Sequence, residues 1–158
     1  MFVGVTGHQD IPDPARAYIE HSIREIIAQL EAPVIGVSSL AEGADQLFAQ
    51  ILHDLGDRLY VVVPSHQYES AFQNDLARNL YKTFLQQAET IETFPFAAPS
   101  EEAFFAAGRR VADLSNLLIA IWDGKEAKGE GGTADIVAYA RERDKKIVVV
   151  WPNGLNRT

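Results

Sequence analysis

The 158-residue chain has no cysteine and only four histidines. Disulfides, thiol nucleophiles and thiolate metal sites are therefore excluded. No histidine pair stands with a carboxylate at metal-ligand spacing, so no metal site is expected, and nothing in the sequence calls for a cofactor. Positive charge is scarce too: 14 lysines and arginines face 22 acids, for a net charge of -8 and an isoelectric point near 4.9. A long polyphosphate backbone would meet a repelling field, so nucleic acid is not expected as a partner. A small anion is still allowed, because helix N-termini and local cations act at short range. Long apolar runs are also missing. Runs such as Ile147 to Trp151 are strand-sized, far below the roughly 20 residues that cross a bilayer. No basic and then apolar leader separates Met1 from the first strand-like run, so the expectation is a cytoplasmic protein without membrane insertion.

What the sequence does contain is a regular alternation of short apolar runs and helical stripes. Phe2 to Val5 reads as a strand, and Asp13-Pro14 supplies a cap and a first-turn proline for a helix with Ile19, Ile23, Ile26, Ile27 and Leu30 on one face. The pattern repeats. Val34 to Val37 is a strand and Ala44 to Leu55 a helix closed by Gly56; Leu59 to Val63 is a strand and Tyr68 to Ala88 one long helix. A weaker strand runs from Thr90 to Phe94, and Ser100 caps a helix opened by Glu101 and Glu102. Leu117 to Trp122, Thr133 to Arg143 and Ile147 to Trp151 complete the series as strand, helix and strand. Continuous apolar strands with helices between them predict an α/β fold: a Rossmann-like, doubly wound, mostly parallel sheet with helices on both faces. The length fits one domain over residues 1–158.

Ligands of such sheets bind outside the carboxyl ends of the strands. Three junctions there are rich in small or polar residues: Thr6-Gly7-His8, then Ser38 to Asp45 with Gly43, and last Gly129 to Asp135 with Gly131, Gly132 and Thr133. None is a G-x-G-x-x-G or Walker A loop, and plain turn chemistry would use the same residues. Thr133 is a candidate helix cap whose neighbouring glycines free N-H groups for a phosphate. Asp135, in the first turn, suits the helix dipole or a ribose hydroxyl better than a phosphate. Asp123 follows a strand and either accepts from sugar or base or forms an Asp-Gly turn with Gly124. His8 is the histidine best placed to touch a ligand. Ser38 and Ser39 suit capping or phosphate contact, and Arg109 or Arg110 is either a phosphate clamp or a surface ion pair.

These loops, in this order, resemble the SLOG superfamily, named for the Smf/DprA DNA-processing proteins and the Lonely Guy enzymes. The resemblance rests on Val5-Thr6-Gly7-His8, Ser39-Leu40-Ala41-Glu42-Gly43-Ala44-Asp45, Val62-Val63-Pro64-Ser65, and Ile119 to Gly124 with Gly131-Gly132-Thr133-Ala134-Asp135. It implies a Rossmann-like fold, frequent homo-oligomers and nucleotide-derived ligands, often in sensors of bacterial conflict systems. Two positions depart from the family. Gln9 stands where an arginine often follows the Gly-His pair, and Ile136 stands where the phosphoribohydrolase branch has the glutamate of P-G-G-x-G-T-x-x-E. Asp135 falls one residue early, about 100° around the helix.

Two functions follow as expectations, while a third, a purely structural or DNA-processing role, is disfavoured by the net acidity. In the first, the chain binds a nucleotide or nucleotide-derived signal, and its output passes through self-assembly or a separate effector. In the second, it hydrolyses the N-glycosidic bond of a nucleoside 5'-monophosphate, with Asp135 or Asp123 as the candidate catalytic residue.

Overall fold

Six strands and five helices follow one another along the chain in a computed structural model that describes residues 1–126 and 132–156. The strands are β1 (Phe2–Gly7), β2 (Ile35–Ser38), β3 (Arg58–Val63), β4 (Thr90–Thr93), β5 (Leu117–Ile121) and β6 (Lys146–Val150). They form one sheet in the order β4-β3-β2-β1-β5-β6, and every neighbouring pair is parallel. The expected doubly wound sheet is thus present, without an antiparallel strand. Its order reverses at β1, which pairs β2 on one side and β5 on the other.

The helices are α1 (Asp13–Ala28), α2 (Ala44–Leu55), α3 (Asp75–Gln87), α4 (Glu101–Leu114) and α5 (Thr133–Glu142). Successive strand residues point to opposite faces, so Val61 and Val63 join one core and Val62 the other. The first core packs Ile19 and Ile23 of α1, Phe48 and Leu52 of α2 and Tyr81 of α3 against the sheet. The second packs Ala107 and Val111 of α4 and Ile136 of α5 against Val37 and Leu118. Among the described residues no helix is long and apolar enough to cross a membrane.

Three local expectations change. The stretch from Tyr68 to Ala88 is not one helix: a 3-10 turn over Tyr68–Ala71 ends at extended Phe72, and α3 starts only after Asn74, whose side chain accepts the Ala77 N-H at 2.7 Å. The cap, not the apolar spacing, decides where that helix begins. Asp13 is the first residue of α1, and its N-cap is Pro12 with no side-chain bond. Likewise Thr133 is the first residue of α5; Gly132 is the N-cap, again with no side-chain bond.

Candidate functional site

A cleft of about 910 Å³ opens along the carboxyl ends of β3, β2, β1 and β5. It spans the point where the strand order reverses, the place where open α/β sheets take their ligands. Its floor is the β1 loop. Gly7 packs so tightly between Ala44 and Ile121 that no Cβ fits there, and the His8 N-H donates to the Ile121 carbonyl at 3.1 Å.

His8 and Asp123 bring the carboxyl ends of β1 and β5 together, with each side chain only 6% exposed. Nε2 of His8 accepts the Asp123 N-H at 3.0 Å, and Oδ1 of Asp123 lies 3.2 Å from the same nitrogen. In the neutral ring Nε2 is an acceptor for the amide. Protonation makes it a donor, and Oδ1 is then the acceptor within reach. The ring stands edge-on to Trp151, with centroids 5.4 Å apart, which fixes its plane. Asp123 Oδ1 also accepts the Lys125 N-H at 3.0 Å across Gly124, so the Asp-Gly turn is formed and its carboxylate still lines the cleft.

The second loop is organised by its own acid rather than kept open for a ligand. Asp45, in the first turn of α2, accepts the Ala41 N-H at 3.2 Å and further bonds from the Ser38 hydroxyl and the Ser39 N-H. Ser38 is fully buried and its Oγ accepts the Leu40 N-H at 2.9 Å, which supports Leu40 at a φ of 57°. Gln46 donates to the carbonyls of Leu40 and Ala77. The Ala44 N-H is taken by the His8 carbonyl at 3.0 Å. Burial pushes the Asp45 carboxyl up to about 6, against the hydrogen bonds from Ala41, Ser38 and Ser39 that pull it down.

The expected residues therefore divide. Gly7, His8, Ser39, Asp45, Asp123, Gly132 and Thr133 line the cleft. Ser38 and Gly43 stand behind it and hold its loops in place. Asp135 is not part of the wall, whereas its neighbours Ala134 and Ile136 are. Arg109 and Arg110 are also absent from it. Arg109 lies over the Phe105 ring at 4.8 Å, and Arg110 pairs with Glu92 of β4 at 3.0 Å, where the Tyr60 hydroxyl also bonds. Gly131 lies outside the described residues, as do Gly129 and Glu130. At α5 the N-H groups of Thr133 and Ala134, the first two of the helix, have no intrahelical acceptor and border the cleft.

Sequence reasoning misses the far wall. Tyr68, Phe72 and Phe104 line the cleft beyond the end of β3, and they pack on one another and on Tyr81. Their apolar spacing gives only a packing signal. No metal-binding cluster of acids and histidines occurs among the described residues.

No protein-family model and no curated protein sequence matches the chain. Solved structures do. DNA processing protein A from Streptococcus pneumoniae superposes with a TM-score of 0.74 at 19% identity, over 98% of this chain and 52% of that one. The chain thus spans about half the length of that protein. DNA processing protein A from Helicobacter pylori, studied for its single-stranded DNA binding mode, gives 0.73 at 19% identity, over 99% of this chain and 67% of that one. A structural-genomics target, TM1055, gives 0.58 at 15% identity, over 92% and 71%. DNA processing protein A is one of the proteins for which the SLOG superfamily is named, so the resemblance holds at the level of the fold. One expectation is overturned: acidity does not exclude nucleic acid, because the Helicobacter pylori protein with this fold binds single-stranded DNA. Net charge describes the field far from the surface. Beyond about 10 Å salt screens it, and contacts inside a groove answer to local groups instead.

Proposed function

We propose that this chain, on the fold of DNA processing protein A, is a binding module for a nucleotide or a nucleotide-derived ligand, held in the cleft over β1 and β5. The observation that carries the reading is the meeting, at the reversal of strand order, of the His8–Asp123 pair, the start of α5 and an aromatic wall. Such a site offers hydrogen-bond acceptors for ribose, N-H donors for one anion and flat apolar surface for a base.

Binding is favoured over hydrolysis by one position. Ile136 lines the cleft where the phosphoribohydrolase branch has its glutamate, and Asp135 is turned out of the wall. The Asp123 carboxylate accepts from the Lys125 amide and faces His8, which suits holding a hydroxyl.

The test is a melt of the protein with nucleoside monophosphates, NAD, ADP-ribose and a single-stranded oligonucleotide, with free base measured in parallel. A ligand at 100 times its Kd adds about 2.7 kcal/mol, a rise of roughly 5 to 10 °C for a domain of this size. A rise without free base is the expected result. Base release that disappears in Asp123→Asn would replace the module by an enzyme, and no rise with any ligand would remove the site altogether.

A further inference from the structure

The solvent side of α4 carries an acid and an arginine that have no ion-pair partner among the described residues, Glu102 and Arg109. With Ala106 and Asp113 they recur at helical spacing, so the four form one stripe, and Phe105 stands on its flank toward α5. Asp113 is already engaged. It accepts the Tyr139 hydroxyl at 3.0 Å and lies 3.9 Å from Arg143. Glu102 and Arg109 are about 10 Å apart along the helix, too far to pair with each other.

Arg109 is held in place by rings. Its guanidinium lies 4.8 Å over Phe105 and 6.0 Å from the ring centre of Tyr139 on α5, and Arg143 stacks on Tyr139 at 3.7 Å. A side chain fixed in this way gives up less freedom on entering an interface. Glu102 stands in the first turn of α4, where an acid favours the helix dipole. That role fits Glu101 equally well and asks nothing of Arg109.

The placement of the two charges asks for more. Both are equally far along the helix from a point between half-buried Phe105 and Ala106. If two copies of α4 lie antiparallel across a two-fold axis through that point, Glu102 of each meets Arg109 of the other. The small Ala106 side chain lets the helices come close. Each chain carries a net charge of -8, so contact between copies favours a face whose charges match locally. The same symmetry relates Glu101 to Arg110, but Arg110 is turned to Glu92.

We propose that α4 is the two-fold interface of a homodimer, closed by reciprocal Glu102–Arg109 pairs around Phe105 and Ala106. None of these four residues lines the cleft, which α4 reaches instead through Phe104, Gly108 and Val111. The interface is therefore independent of what the cleft binds.

Sedimentation over a range of protein concentrations tests the proposal on the wild type, Glu102→Arg, Arg109→Glu and the double variant. The wild type is expected to dimerise. Each single reversal sets like charges against each other and should weaken the dimer at least about tenfold, while the double variant restores it. An equimolar mixture of the two single variants matches charges across the mixed pair, and it should dimerise where neither variant does alone. A purely structural role for either residue would not produce that rescue. Glu101→Arg has the same cost to the helix dipole but lies off the stripe, so it should dimerise as the wild type does. The proposal is overturned by a wild type that stays monomeric at every concentration, by single reversals that dimerise as tightly as the wild type, by a mixture no tighter than its components, or by loss of the dimer in Glu101→Arg.

Discussion

Gly43→Ala is expected to destabilise the protein by about 4 kcal/mol, summed from backbone strain and overpacking of ordinary size. Gly43 caps α2 at φ 87° and ψ -120°, a region open to glycine and closed to residues with a Cβ. An added Cβ would also run into the backbone of Gln9 and the carbonyl of His8. These atoms belong to the β1 loop, so relief of the clash must separate α2 from the loop that carries His8. The same substitution at Gly56 is the control. Its φ is 76°, but nothing lies within 4 Å of the added atom, so it should cost only about 1 to 2 kcal/mol for the left-handed backbone. Denaturant melts of both variants separate collision from strain. For a chain of this length the Gly43 variant should melt at least ~8 °C lower, and equal losses at the two glycines would mean that the loop yields without cost.

The second large effect depends on pH. Asp45 has a carboxyl pKa of about 6 in the folded protein, against 3.8 for an unperturbed aspartate such as the unfolded chain presents. Below pH 3.8 both the folded and unfolded chains hold its proton, and the group is neutral to folding. As pH rises toward 6 the unfolded chain releases the proton while the folded chain retains it, so stability falls. Each pH unit between the two values is worth about 1.4 kcal/mol, or about 3 kcal/mol in all. Other carboxylates act in the opposite direction; hydrogen bonding to Gln50 and Arg24, for example, holds Asp54 low. The informative quantity is therefore the stability of the wild type minus that of Asp45→Asn, followed from about pH 4 to about pH 8. Asparagine keeps a side-chain acceptor for the loop but does not titrate. The wild type's relative stability should decline by about 3 kcal/mol across that window and level off above about pH 7. A difference that stays flat would mean that Asp45 ionises as an exposed acid does.

Much of the fold is legible because its signals are local. The apolar runs and helical stripes fall where the strands and helices are, and the absence of alternation in β1, β3 and β5 correctly implies burial on both faces. Tyr68 to Ala88 misleads because apolar spacing continues through Phe72, while the break rests on a single Asn74 side chain. The site is legible where strand ends determine it, at His8, Asp45, Asp123 and Thr133. It is not legible where helical phase and distant partners decide. Gly108 of α4 lines the cleft, whereas Arg109 is turned about 100° away and Arg110 is claimed by Glu92, a strand residue met only in the fold. Tyr68 carries only a packing signal, since its place on the cleft wall is set by the rings of Phe72, Tyr81 and Phe104 that meet it in the fold.

The central claim is that the ligand enters the cleft over β1 and β5. Amide chemical shifts of isotope-labelled protein, followed while a nucleoside monophosphate is added, test it most directly. Shifts should concentrate at Thr6, His8, Ser39, Tyr68, Asp123 and Thr133, and leave Arg109, Arg110 and Arg143 on the α4–α5 side undisturbed. Shifts centred on those arginines, with the cleft residues unchanged, would contradict it.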